Sequence, residues 1–104
     1  MKVAITSQGE HLDSLIDPRF GRCAYFVIYD TEDHSTEFIK NPNVDVAEGA
    51  GPASVGIVAN KGVSRIVSGE FGFKIKGMLN DLSIQMVMMK EEKTIREIIA
   101  LLEK

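Results

Sequence analysis

Two strands and the turn that joins them are encoded by residues 19–40, RFGRCAYFVIYDTEDHSTEFIK. Ala24–Tyr29 is rich in aromatic and β-branched residues, Thr31–His34 supplies turn formers, and Ser35–Lys40 is a second run that contains large apolar residues. This pattern predicts a β-hairpin. Since a short turn joins antiparallel strands, the hairpin fixes the direction of the first half of the sheet.

The segment that precedes the hairpin predicts one strand and a long loop. Lys2–Thr6 suits a central strand. Ser7–Arg22 has no sustained hydrophobic period and contains Pro18 and Gly21, so it predicts a loop, with one turn of helix at Leu12–Ile16. A loop of this length inside a compact domain is usually functional or mobile.

The segment that follows the hairpin alternates helices and strands. Glycine and proline bracket the first helix, because proline is tolerated in a first turn and glycine ends a helix. Thr94 and Glu97 have the spacing of a capping box before the last helix. The predicted elements are a helix over Ala53–Lys61, a strand over Val63–Ser68, a helix over Phe73–Leu82, a strand over Ile84–Met89 and a terminal helix from Ile95.

These elements predict an α/β fold of the ribonuclease H-like, three-layer type. Short turns make the first three strands an antiparallel meander, and helical crossovers make the later strands parallel to the first. The result is a mixed five-stranded sheet in the order 3-2-1-4-5 with helices on both faces. Four loops then gather at the end of the sheet where open α/β folds bind ligands. They are Ser7–Arg22, Asn41–Gly51, Ser68–Lys74 and Met89–Lys93.

Composition excludes several classes of protein. The 104 residues are enough for one domain over residues 1–104. A net charge of −3 argues against a broad nucleic-acid surface. The single cysteine cannot form an internal disulfide, and no apolar run reaches the length of a membrane span. We therefore expect a cytoplasmic protein that binds neither nucleic acid nor membranes.

Charge and glycine at this end of the sheet predict a site for an anion. Arg19 and Arg22 can hold anionic sulfur or oxygen, although Arg19 has Asp13 and Asp17 as alternative partners within its own loop. Glycines beside the helix starts let a ligand approach unpaired amides, or simply permit tight turns. The predicted binding residues are Arg19, Phe20, Gly21, Arg22, Gly51, Gly69 and Gly72.

His11 and Cys23 are the candidate metal ligands. Neighbouring arginines lower the pKa of a thiol and favour the thiolate, whereas a lone buried cysteine acts as a small hydrophobic residue. His11 is either an imidazole ligand in the loop or a solvent-exposed side chain. A two-metal nuclease needs carboxylates on the first and fourth strands, but the first strand has none and Glu70 alone cannot form the pair. No enzyme activity is predicted.

Three sequence elements carry a resemblance to a known family. Phe20-Gly21-Arg22 precedes an aromatic strand, Gly49-Ala50-Gly51 opens a helix, and Lys61-Gly62-Val63 is followed by the run over residues 66–72, IVSGEFG. In this order they resemble the dinitrogenase iron-molybdenum cofactor biosynthesis family over nearly the whole chain. The family often has histidine at position 19 and a small residue at position 23, so this chain departs from it at both.

The resemblance implies a ribonuclease H-like domain that holds metal–sulfur clusters or their precursors and hands them to a partner. The leading hypothesis is a non-catalytic carrier or scaffold for an iron-sulfur or molybdenum-containing cluster, bound reversibly, with a cofactor-assembly or acceptor protein as partner. The alternative is a protein-interaction or regulatory module without cofactor, which would use Met86, Met88 and Met89 or the first loop as its contact surface.

Overall fold

Eight helices and strands follow one another in residues 1–103, which the computed structural model describes. They begin and end close to the predicted boundaries. The elements are β1 Lys2–Ser7, β2 Tyr25–Asp30, β3 Thr36–Lys40, α1 Ala50–Asn60, β4 Val63–Ser68, α2 Phe73–Asp81, β5 Gln85–Met88 and α3 Ile95–Leu102.

The five strands form one mixed sheet in the order β3-β2-β1-β4-β5, which confirms the predicted order. β2 pairs antiparallel with both β1 and β3, whereas β4 runs parallel to β1 and to β5. At the centre of the sheet, Ile5 lies opposite Val27 on one side and Val67 on the other. The fold is therefore the predicted α/β, ribonuclease H-like arrangement.

The two faces of the sheet are covered by different helices, so the fold has three layers. Successive side chains of a strand point to opposite faces. Ala4 accordingly joins the apolar cluster that includes Val55 of α1 and Leu79 of α2. Its neighbours Val3 and Ile5 join the cluster that includes Ile98 of α3.

The structure corrects two local predictions. Residues 12–16 do not form a turn of helix, because Leu15 bridges to Thr94 and Ile16 bridges to Ser7, so their backbone groups bond across the chain. The helix predicted over Phe73–Leu82 is one residue too long. α2 ends at Asp81, which leaves Leu82 as the C-cap and 51% exposed.

β1, β4 and β5 all finish at one end of the sheet, called here the carboxyl end. A buried polar network lies there. The Thr6 hydroxyl is 2.9 Å from the Ser68 hydroxyl and donates to the Asp17 carbonyl at 2.7 Å. These contacts attach the first loop to the ends of β1 and β4. No helix within residues 1–103 combines the length and apolar character that crossing a membrane requires.

Candidate functional site

A cavity of about 370 Å³ opens at the carboxyl end, and we call it the arginine cavity. Three segments that are distant in sequence meet in it: the first loop, the start of α1 and the start of α2. Its lining is Arg19, Phe20, Gly21, Arg22, Gly49, Ala50, Gly51, Glu70, Gly72 and Ile75. Six of the seven predicted binding residues are thus brought together, all except Gly69.

Both helices that reach the arginine cavity begin without a side-chain cap. Their N-cap residues are Gly49 for α1 and Gly72 for α2, and neither first turn holds an acidic residue. Within residues 1–103, the amides of Ala50, Gly51 and Ile75 have no hydrogen-bond acceptor. Unpaired amides and the positive end of the helix dipole attract an anion.

The two arginines are held in different ways. Arg22 Nη1 donates to the carbonyls of Val44 at 3.0 Å and Val46 at 2.8 Å, so its position is fixed by neutral groups. It forms no ion pair within the described residues 1–103. Arg19 Nε lies 3.4 Å from Asp17 Oδ1, which identifies Asp17 as its partner. Arg22, which lines the cavity, therefore carries a positive charge without an ion-pair partner. The positive charge of Arg19 is partly compensated by Asp17.

The glycines of the arginine cavity have different physical reasons to be glycine. A Cβ on Gly21 would lie 3.0 Å from the Gly51 backbone, and a Cβ on Gly51 would lie 2.6 Å from Ile75 Cδ1. These two glycines allow the first loop and α2 to pack against the start of α1. A Cβ on Gly72 would meet only Ile75 Cγ1 at 3.8 Å, an ordinary contact. Packing within the chain therefore does not require glycine at position 72.

Two predicted residues lie outside the arginine cavity. Gly69 lines a neighbouring cavity of about 210 Å³, and its missing Cβ makes room for Pro18, whose Cα would be only 2.5 Å away. His11 is exposed in the first loop, where its backbone bonds Ser14, and it lines none of the cavities described here. Anion binding by Gly69 and metal ligation by His11 therefore remain predictions, and the positions of the two residues do not support them.

Cys23 is buried and does not line the arginine cavity. Its Sγ donates to the Phe20 carbonyl at 3.4 Å. Burial, with the charge of Asp17 acting in the same direction, raises the pKa of the thiol to about 12. The expectation that neighbouring arginines lower this pKa is therefore wrong, because the cost of desolvating the thiolate dominates. Within residues 1–103, no three His, Cys, Asp or Glu side chains are grouped to hold a metal ion.

Sequence reasoning missed two residues that position the first loop. Asn41 is buried, and its Nδ2 donates to the carbonyls of Gly21 at 3.1 Å and Cys23 at 2.9 Å. Ser54 Oγ, on α1, donates to the same Gly21 carbonyl at 3.0 Å. In sequence, Asn41 is simply the first residue of the predicted loop Asn41–Gly51. No spacing pattern links it to Gly21, which lies 20 positions earlier.

The surroundings of the arginine cavity add one negative and one apolar group. Glu70 is exposed and is the one carboxylate among the lining residues. Phe73 is the first residue of α2, directly after the N-cap Gly72, and it is 93% exposed. The cavity thus combines two arginines and free amides with a single acid, beside an uncovered aromatic ring.

Similar proteins were found in sequence and in structure. The profile of the family described as "Dinitrogenase iron-molybdenum cofactor" matches residues 1–104. An uncharacterized protein of Methanocaldococcus jannaschii, MJ0580, is 31% identical over 87 residues, which is 81% of this chain and 70% of that protein.

Two solved structures are similar over nearly the whole chain. The apo form of the orange protein from Desulfovibrio gigas superposes with a TM-score of 0.90 at 30% identity, covering 97% of this chain and 85% of that one. The NMR structure of a NifB-like protein from Thermotoga gives a TM-score of 0.84 at 33% identity, with the same coverage of 97% and 85%.

Proposed function

The chain belongs to the dinitrogenase iron-molybdenum cofactor family, and we propose that it is a non-catalytic carrier of an anionic metal–sulfur cluster or its precursor. The cluster, of iron-sulfur or iron-molybdenum type, is bound reversibly and passed to a cofactor-assembly or acceptor protein. It is called the cargo below.

The observation that carries this proposal is the coincidence of free amides and arginines in one cavity. Ala50, Gly51 and Ile75 present amides without acceptors, and Arg22 presents a charge without a counter-ion within residues 1–103. Sulfide atoms on the outside of an anionic cluster accept hydrogen bonds from such donors. Since residues 1–103 group no set of metal-ligating side chains, the cargo in this proposal keeps its own sulfur ligands.

The size and the lining of the arginine cavity agree with a small inorganic cargo. A volume of about 370 Å³ falls at the lower end of the range of roughly 300–1,000 Å³ that small-molecule sites occupy. Gly72 leaves room that a Cβ would fill, and Phe20 and Ile75 supply an apolar wall. The lining residues include a single carboxylate, Glu70, so no carboxylate pair is available for acid–base or two-metal catalysis.

The test measures anaerobic binding of tetrathiomolybdate, a molybdenum–sulfur dianion, by equilibrium dialysis and metal analysis. The double variant Arg19→Ala/Arg22→Ala should bind roughly 100-fold more weakly, because two charge-assisted hydrogen bonds of about 1.5 kcal/mol or more are lost. Arg65→Ala/Arg96→Ala is the matched control: it removes the same charge, but these side chains bond Gln85 and Asp13 away from the cavity. Equal losses in both double variants, or no binding by the unaltered protein, would contradict the carrier function.

The rival function, an interaction module without cofactor, is favoured by the exposure of Phe73. Of the three methionines considered for a contact surface, only Met88 is exposed, because Met86 and Met89 pack against the two apolar clusters. The two functions differ in one outcome. A pure interaction module keeps partner binding when Arg19 and Arg22 are replaced by alanine, whereas a carrier loses cargo retention.

A further inference from the structure

Asp17 is a buried carboxylate whose partner is on the surface. Its side chain is 4% exposed, against 57% for that of Arg19. The backbone of Asp17 is fixed on both sides: its amide donates to the Thr6 carbonyl at 2.9 Å, and its carbonyl accepts from the Thr6 hydroxyl at 2.7 Å. Asp17 Oδ1 also accepts from the Arg19 amide at 3.0 Å. The carboxylate is therefore held in place.

Arg19 combines a fixed backbone with a side chain that borders two cavities. Its backbone is bridged to Glu70, and the preceding Pro18 packs against Gly69. Besides the arginine cavity, Arg19 lines a second cavity of about 390 Å³ together with Gln8, Asp17, Pro18 and Ala24. Arg19 is the residue common to these two linings. Arg19 thus lies between the fixed carboxylate of Asp17 and the predicted anion site.

We propose that Asp17 is a positioning residue that competes with the cargo for the Arg19 guanidinium and so favours release. This inference rests on the proposed carrier function. Arg22 is the contact that stays in place, because neutral carbonyls orient it and it forms no ion pair within residues 1–103. Arg19 is the exchangeable contact. A site with two uncompensated arginines would hold a multiply charged anion more tightly and return it more slowly.

The first test is Asp17→Asn, which keeps an oxygen to accept from the Arg19 amide but removes the charge. Tetrathiomolybdate should bind roughly two- to fivefold more tightly and dissociate more slowly, the range expected from a partly exposed ion pair. Asp13→Asn is the matched control, since Asp13 pairs with Arg96. Its affinity should equal that of the unaltered protein.

A double-mutant cycle with Arg19→Gln separates competition from direct repulsion. The gain from Asp17→Asn should disappear when Arg19 is already glutamine, because there is no guanidinium left to release. A gain that persists in the Arg19→Gln background means that Asp17 repels the anion directly, and this overturns the inference. An unchanged or weaker affinity of Asp17→Asn for the anion also overturns the inference. It would indicate that Asp17 only stabilises the local turn through its hydrogen bond from the Arg19 amide.

A second measurement needs no substitution and is independent of how the variants fold. In ¹⁵N NMR spectra of the unaltered protein, the Arg19 Nε–H resonance should shift as tetrathiomolybdate is added, because the contact to Asp17 is exchanged. The Nε–H resonances of Arg65 and Arg96 are internal controls that should stay in place, since they donate to Gln85 at 2.9 Å and Asp13 at 3.1 Å. Binding with a static Arg19 resonance refutes this inference alone, whereas absence of binding refutes the carrier function with it.

Discussion

The N-terminus of α3 and the N-termini of α1 and α2 are built in opposite ways. In α3, the first three amides all have acceptors: Ile95 donates to Ser14, Arg96 to Leu12 and Glu97 to the Thr94 hydroxyl. The Glu97 side chain closes the capping box by accepting from the Thr94 amide. In α1 and α2, glycine occupies the N-cap and no side chain caps the helix.

This difference separates helix ends that serve the fold from helix ends that are free for a ligand. The α3 end packs against the first loop, and its own chain satisfies its amides. The α1 and α2 ends face the arginine cavity, and each has a glycine N-cap, which is less stabilising than a Ser, Thr, Asn or Asp cap by a few tenths of a kcal/mol. The pattern suits the proposed anion site, since a capping side chain occupies an amide that an anion would otherwise bind.

Among substitutions at the helix ends, capping α2 should have the largest effect on anion binding. Gly72→Asp is compatible with the backbone, which is extended at φ −64°, ψ 156°, and with the space available to a Cβ. The new carboxylate would accept from the α2 amides and repel an anion, so tetrathiomolybdate affinity should fall roughly five- to thirtyfold, the equivalent of the 1–2 kcal/mol range of cap and dipole effects. The free energy of unfolding without ligand should rise, measured by urea titration.

Gly72→Ser is the control for this substitution. Serine supplies a neutral cap, so it should stabilise the protein by only a few tenths of a kcal/mol relative to glycine and weaken anion binding less than aspartate does. If Gly72→Asp binds the anion as well as the unaltered protein, the open end of α2 is not part of the site.

Removing the cap of α3 should give the complementary result. Thr94→Ala should lower the free energy of unfolding by about 1 kcal/mol, because the Glu97 amide loses its acceptor and the capping box is broken. Tetrathiomolybdate affinity should not change, since α3 does not line the arginine cavity. An anion affinity that falls with Thr94→Ala would show that the two kinds of helix end are not separate in function.

The smallest effect concerns the thiol next to the first loop. The pKa of Cys23 is raised from 9.0 to about 12, so the folded state keeps the proton where the unfolded state loses it. Its contribution is complete below pH 9 and is lost as the pH rises from 9 towards 12. Between pH 8 and 9.5, the free energy of unfolding should fall by about 1 kcal/mol more in the unaltered protein than in Cys23→Ala.

Tyr29, whose pKa is also raised to about 12, chiefly by its hydrogen bond to Glu103, is present in both proteins and cancels in this difference. Equal pH dependence of the two proteins would mean that Cys23 ionises normally.

Local patterns made most of the fold predictable. The hairpin over residues 24–40 and the crossovers fix strand order and direction, and the capping box depends only on Thr94 and Glu97. The convergence of the first loop with the starts of α1 and α2 followed from this topology alone. The predicted boundaries of helices and strands differ from the observed ones by a few residues. For example, α1 begins at Ala50 rather than at the predicted Ala53.

The remaining features depend on contacts between residues distant in sequence. The residues next to Cys23 in sequence do not indicate that its side chain is buried, although burial is the main cause of its raised pKa. Likewise, Gly51 and Gly72 look alike in sequence, but the position of Ile75 makes glycine a packing requirement only at Gly51. Asn41 reaches Gly21 because β3, the strand that it follows, pairs with β2. For these residues, the role depends on tertiary contacts that no local sequence pattern indicates.

The most direct test of the open helix ends is an anaerobic ¹H–¹⁵N NMR titration of the unaltered protein with tetrathiomolybdate. The Ala50, Gly51 and Ile75 amides, whose N–H groups have no acceptor within residues 1–103, should shift progressively, while the capped Glu97 amide of α3 stays in place. Binding that leaves those three amides unmoved, or that moves Glu97 as much, would contradict it.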